Sequence, residues 1–206
     1  MEPHWLNWAK KLQAIAQNGL TFNKEPYDTE RYQAIREIAL EIMAQEAKAD
    51  ITQLQNIFSQ EVGYATPKVD VRGVVFRDEA LLLVKERSDG GWTLPGGWAD
   101  VGDSPSEAVV REIYEESGYQ TQVVKLLAVY DRSKHDHPPS VYHIYKLFFQ
   151  CQLLGGSATT SIETEDVAFF REDKIPEQLS QGRVTPTQIK RMFEHSRHQE
   201  WQTDYD

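Results

Sequence analysis

Pro95-Gly-Gly-Trp-Ala-Asp-Val-Gly-Asp-Ser-Pro-Ser-Glu-Ala-Val-Val-Arg-Glu-Ile-Tyr-Glu-Glu-Ser-Gly-Tyr119 reads as a loop followed by one sharply bounded helix. Ser104 has N-cap chemistry, Pro105 suits the first helical position, Glu107 completes a capping box and Gly118 supplies the stop. At 100° per residue, Val109, Val110 and Ile113 share the face that packs inward. Glu112, Glu115 and Glu116 form the neighbouring face, and the three- and four-residue spacings bring their carboxylates together.

A run of acids usually means a solvated surface, yet this one works against its own helix. Like charges at this spacing cost about 0.2–0.5 kcal/mol per pair. Anions near a helix C-terminus cost about 0.3–1 kcal/mol more. Arg111, four residues before Glu115, offsets only part of this. Crowded hard oxygen ligands suit Mg2+ or Mn2+, ions that also bind phosphate oxygens.

The first sixty residues carry helical spacing. Trp5, Trp8, Leu12 and Ile15 form one stripe, ended by Asn18-Gly19; Asp28 caps a second helix and Asp50 a third. From Pro67 the texture turns to strands, with alternation from Val69 to Phe76, an apolar run from Ala80 to Val84 and a turn at Ser88-Asp89-Gly90-Gly91. Further strands are expected over Val123–Tyr130, Val141–Leu153 and Val167–Phe170, with a last helix from Thr185 to His195. The polar tail from Arg197 to Asp206 is expected to fray. The expected division is a helical domain over 1–64, for packing or dimerisation, and a second domain over 65–206. Three short helices alone make a marginal core.

The composition of the 206 residues is ordinary for a globular chain, with 40% hydrophobic and 26% charged residues. A net charge of -10 argues against nucleic acid as a partner, since that contact needs clustered cations. Cys151 is the single cysteine, which excludes an internal disulfide and a cysteine-based zinc site, and it reads as a buried thiol. No segment has a leader's basic-then-apolar pattern or the length of a membrane span, so no membrane partner and a cytoplasmic residence are expected.

The quoted stretch resembles the Nudix box, matched here by Gly97, Asp103, Arg111, Glu112, Ile113, Glu115, Glu116, Gly118 and Tyr119. Every spacing fits, and Asp103 stands where the family usually has glutamate. The resemblance implies an α/β (α+β) fold, in which a mixed sheet lies between helices after the small helical N-terminal domain. It implies Mg2+, with Mn2+ as a substitute, held by Glu112, Glu115, Glu116 and the Gly96 carbonyl. It implies water attack on a nucleoside diphosphate derivative, giving a nucleoside monophosphate and X-phosphate. Nudix enzymes often draw their general base from outside the box, and Glu163 and Glu165 are the candidates here.

Beyond the box, Trp5 to Gly19, Thr66 to Arg72, Leu94 to Gly102 and Thr160 to Glu165 resemble a bacterial subgroup associated with CDP-choline and ADP-ribose hydrolysis. That resemblance implies a homodimer and places CDP-choline first and ADP-ribose second. Cleansing of nucleoside triphosphates is the alternative activity, and a non-catalytic nucleotide sensor the alternative class. Gly97 lets backbone approach a phosphate, and Trp98 could stack on a base, cover a cation or simply anchor its loop. Arg72 could reach a phosphate or pair with Asp70 or Glu86; Tyr130 and Asp131 could shape the pocket. His135 and His137 have ligand-like spacing but no third partner in sequence, so a surface loop stands beside a metal site.

Overall fold

The computed structural model describes residues 2–47 and 49–206, which separate into a helical unit and a sheet unit. The helical unit holds α1 (His4–Phe22), α2 (Pro26–Ala47) and α3 (Ile51–Ser59), together with Pro139–His143. Leu6, Ala9, Leu40, Met43, Leu54 and Phe58 form its core, with Val141 packed against them. Asp50 caps α3 as expected, accepting from the Thr52 N–H, whereas Asp28 does not cap α2 but lies within its first turn, because the helix already begins at Pro26. Nor does α1 stop at Gly19. The Tyr32 ring occupies the space where a Cβ on Gly19 would stand, and this close packing outweighs glycine's cost of about 1 kcal/mol in a helix. Trp8, Ile15 and Phe22, seven residues apart on α1, remain exposed.

Among the described residues the sheet unit has seven strands, β1 (Lys68–Arg77), β2 (Ala80–Glu86), β3 (Trp92–Thr93), β4 (Tyr119–Asp131), β5 (Ile144–Gly156), β6 (Thr164–Phe170) and β7 (Asp204–Tyr205). Their order is β3-β2-β1-β5-β4-β7, with β6 also on β2. The β1–β5 and β4–β7 pairs are parallel and the rest antiparallel, so the sheet is mixed. The strand expected from Val141 begins instead at Ile144, because Val141 packs in the helical core and Tyr142 lies 6.4 Å from the Phe58 ring.

Successive strand residues face opposite sides. Val71, Val75 and Leu82 therefore meet Ala108, Val109 and Ile113 of α4 (Pro105–Ser117) in one core. Val74, Leu81 and Leu83 meet Ile189, Met192 and Phe193 of α5 (Pro186–Arg197) in the other. The result is the expected helix–sheet–helix sandwich. Cys151 is buried, and burial pushes its thiol up to about 12, which leaves it unreactive.

The tail does not fray. Thr203 Oγ1 donates to the Leu126 carbonyl, Asp204 and Tyr205 form β7, and Trp201 lies under the Arg191 guanidinium at 4.3 Å. Its partners lie far away in sequence, so local polarity was a poor guide. Among the described residues no helix is long and apolar enough to cross a membrane.

Candidate active site

The box helix α4 is bounded as its sequence dictates. Ser104 and Glu107 complete the capping box, Pro105 opens the helix, and Gly118 ends it at φ 74°, where only glycine is unstrained. The loop before it runs along β1, with Val71 N–H donating to the Gly97 carbonyl (2.8 Å) and Gly73 N–H to that of Pro95 (2.8 Å). Gly96 has φ 140°, and a Cβ there would collide with the Val71 carbonyl oxygen, so the position excludes every other residue.

That loop is pressed against the carboxylates. Gly96 N–H donates to Glu116 Oε2 at 2.8 Å, and a Cβ on Gly97 would stand 2.9 Å from Glu112 Oε2. Glu116 is 4% exposed. Burial pushes its pKa up to about 8, against the opposing pull of Arg72 and the Gly96 N–H. Burial also raises Glu112, against the pull of Arg111. Glu115 lies at the exposed edge.

Arg111 organises the rest. Its guanidinium contacts Asp103 (3.1 Å), Glu112 (2.9 Å), Glu115 (3.1 Å) and Asp100 (3.1 Å). Asp103, the departure from the usual box, thus anchors Arg111 through its Nε. Among the described residues no three acidic, histidine or cysteine side chains converge as a preassembled metal cage. The fit to a hard divalent cation lies in the donor chemistry: acidic oxygens crowded at an unfavourable helix end and held against a side-chain-free loop.

Other expected residues divide. Arg72 is buried and forks onto Asp70 (2.9 and 2.7 Å), with Nη1 donating to the Leu94 carbonyl. Asp70 also receives Lys146, which is 1% exposed. Burial would raise Asp70, but Arg72 and Lys146 hold it at about 2; burial takes Lys146 down to about 8. Trp98 is half-exposed and bridges Asp70 on β1. Tyr130 belongs to the α5-side core and donates its hydroxyl to Asp204 (3.0 Å), so the structure does not bring it to the carboxylates. His135 pairs with Asp206 and His137 Nδ1 meets the Gln181 carbonyl, and among the described residues the two do not form a metal site with a third ligand.

The two base candidates also part. Lys85 pairs with Glu165 at 2.7 Å. Glu86 shares the α4 face with Leu82, two pleats back on β2, whereas Lys85 points to the opposite face. Glu163 belongs to a loop fixed to the end of α4: Thr159 N–H donates to the Ser117 carbonyl (3.0 Å) and Thr164 Oγ1 to the Glu116 carbonyl (2.9 Å). Sequence reasoning missed Glu86, which is buried, paired with Arg183 (3.0 Å) and raised by burial against the pull of Arg183 and Arg72. Its period-2 relation to Leu82 and Val84 was the available signal.

Residues 3–58 match the family described as UDP-X-like, N-terminal oligomerisation domain, and residues 66–189 match the NUDIX domain. A Bacillus subtilis protein provisionally named an ADP-ribose pyrophosphatase is 47% identical over 206 residues, covering 100% of this chain and 99% of its own. A solved UDP-X diphosphatase is similar at 33% identity and TM-score 0.64, covering 98% of both chains. A solved ADP-ribose pyrophosphatase from Streptococcus suis is 38% identical, with TM-score 0.63, covering 68% of this chain and 100% of its own.

Proposed function

The chain belongs to the Nudix family and is a Nudix pyrophosphohydrolase, and from that premise we propose that it cleaves the pyrophosphate linkage of a nucleoside diphosphate joined to another moiety. The products are a nucleoside monophosphate and X-phosphate. The observation that carries this reading is the pair Glu112 and Glu116, one turn apart, both held against the Gly96-Gly97 backbone. Nudix hydrolases in general use divalent metal ions. We assign Mg2+, with Mn2+ as a substitute, to Glu112, Glu115, Glu116 and the Gly96 carbonyl. When bound, such an ion neutralises phosphate oxygens and lowers the pKa of the attacking water.

This chain's own groups do the remaining work. Glu163 accepts the proton of the attacking water, in preference to Glu165, which is engaged in an ion pair with Lys85. The Gly97 backbone lets phosphate approach without a side chain in the way, and Trp98 offers its half-exposed ring to the base or the X group. Arg72 moves from a phosphate contact to a supporting role, since its donors hold Asp70 and the Leu94 carbonyl under the loop. Tyr130 leaves the substrate-binding set.

The relatives' names favour ADP-ribose and UDP-linked compounds, ahead of the CDP-choline that sequence resemblance placed first. We assign residues 1–64 to a helical dimerisation domain and the chain to a cytoplasmic homodimer. The exposed Trp8, Ile15 and Phe22 stripe and the oligomerisation family matched by residues 3–58 support a pairing surface. The test is a panel of ADP-ribose, UDP-glucose, CDP-choline and nucleoside triphosphates with Mg2+ or Mn2+. Nucleoside monophosphate plus a phosphorylated X group supports the proposal. Pyrophosphate release from triphosphates alone would overturn it, as would binding without turnover across the panel.

A further inference from the structure

We infer that Thr164 is a positioning residue for the reaction: its hydroxyl ties the loop presenting Glu163 to the end of α4 that carries Glu112 and Glu116. The inference rests on the assignment of Glu163 as base. The last four carbonyls of any helix lack helical partners. On α4, Thr159 N–H meets the Ser117 carbonyl and Thr164 Oγ1 meets that of Glu116, so the segment 156–164 supplies two of the missing donors.

Thr164 is fully buried, and its oxygen works in two directions. While donating to the Glu116 carbonyl at 2.9 Å, it accepts from the Ser161 N–H at 3.0 Å. Ser161 Oγ in turn accepts from the N–H groups of Glu163 (3.0 Å) and Thr164 (3.1 Å), which fixes the backbone on both sides of the proposed base. Ser161 Oγ also lies 3.1 Å from Thr164 Oγ1, closing the turn. Thr164 pairs with Glu86 across the β2–β6 irregularity, so the hydroxyl's position is set by the sheet as well. One oxygen therefore links the helix that bears the inner carboxylates, the strand beneath them and the loop opposite.

A base must stand within hydrogen-bond reach of its proton, and a shift of about 1 Å can cost as much as ~100-fold in rate. The threonine methyl fills space that valine would fill equally well, whereas the hydroxyl makes the link. In steady-state assays on the best substrate of the panel, Thr164→Val is expected to lower kcat at least about tenfold. KM, and the Mn2+ dissociation constant read by electron paramagnetic resonance, should stay within about threefold, because the groups that hold substrate and cation are left in place. Thr164→Ser, which keeps the hydroxyl, should return kcat to within about threefold of wild type.

An unchanged kcat in Thr164→Val overturns the inference. So does a serine variant as slow as the valine one, which would make bulk rather than the hydroxyl decisive, or a joint loss of kcat, KM and Mn2+ affinity, which marks general disruption. Glu163→Gln tests the base separately. If it turns over like wild type, the base assignment fails, while a kcat-selective, serine-rescued loss at Thr164 still identifies the hydroxyl as positioning. If Glu163→Gln is slow and Thr164→Val adds nothing in that background, the two residues act through one function.

Discussion

Glu116 and Asp204 are both buried or partly buried acids at the edge of a helix and a sheet, and they are treated in opposite ways. Glu116 receives the Gly96 N–H and feels the Arg72 charge, but burial, with Glu86 and Glu112 adding to it, lifts it to about 8. Asp204 accepts from Arg191 twice (2.6 and 2.9 Å), from Tyr130 (3.0 Å) and meets His195 Nε2 (3.0 Å), and these donors, Arg191 foremost, hold it well below the usual carboxylate range. At the C-terminal strand charge and partners match, so the acid fastens the fold. At the box helix acids are concentrated beyond what the protein itself satisfies, as expected where charge serves chemistry.

The largest separation between the two regions comes from neutralising Glu116. Glu116→Gln is expected to lower kcat/KM by about 10³-fold, since it removes a cation-holding oxygen charge from the reaction centre. Its midpoint in urea should not fall, because the substitution relieves a carboxylate that burial penalises. A variant that unfolds earlier than wild type would show that the charge at Glu116 is structural and collapse the contrast.

Asp204→Asn should give the reverse pattern. Removing a charged acceptor that serves Arg191, Tyr130 and His195 is expected to cost about 2–3 kcal/mol in urea denaturation, with kcat of the folded protein within about twofold of wild type. A large loss of kcat with normal stability would place the C-terminal strand in the reaction.

The pH dependence of stability separates the two acids by its sign. Glu116 has a raised pKa, so the folded state favours its neutral form. Stability of chelator-treated protein should therefore decline as pH rises from about 4.5 towards 8, by about 1–2 kcal/mol once local relaxation is allowed. Asp204 is depressed, so its contribution is present above the unfolded carboxylate pKa near 4 and is lost as pH falls below it. Glu116→Gln should abolish much of the first slope and leave the second. A wild-type slope that Glu116→Gln does not alter would refute the assignment.

Local features were legible where their causes are local. The Ser104–Glu107 box, Gly118 and the alternation of β1 each need only a few neighbouring residues, and all appear as expected. The start of α5 at Thr185 is of the same kind. What escaped depends on contacts between elements, ten or more residues apart: Tyr32 on Gly19, Val141 in the helical core, and Trp201 and Asp204 docked on α5 and β4. In the site, the three glutamates of α4 were legible from spacing. The contribution of Thr164 was not, because only the β2–β6 pairing and its bond to the Glu116 carbonyl bring it to that helix, and Glu86 left no more than its period-2 relation to Leu82. Arg72 shows the limit of residue type as a guide, since the same guanidinium suits a phosphate or Asp70, and the two-residue spacing on β1 sets it beside Asp70.

The smallest effect is expected where the box departs from its family. Asp103 accepts from Arg111 Nε at 3.1 Å, while Arg111 also holds Glu112 and Glu115. It is therefore a matched charge inside the region of unmatched ones. The family's usual glutamate would bring one more methylene to this partly exposed loop, enough slack to keep the same nitrogen. Asp103→Glu should thus change stability by less than about 0.5 kcal/mol and kcat/KM by less than about threefold. Asp103→Ala, which removes the acceptor, should lose more activity than Asp103→Glu, because Arg111 would then be free to lean further onto Glu112. Equal activity in the glutamate and alanine variants would mean that Arg111 is fixed by Glu112 and Glu115 alone, and that the shorter acid in this box has no bearing on the reaction.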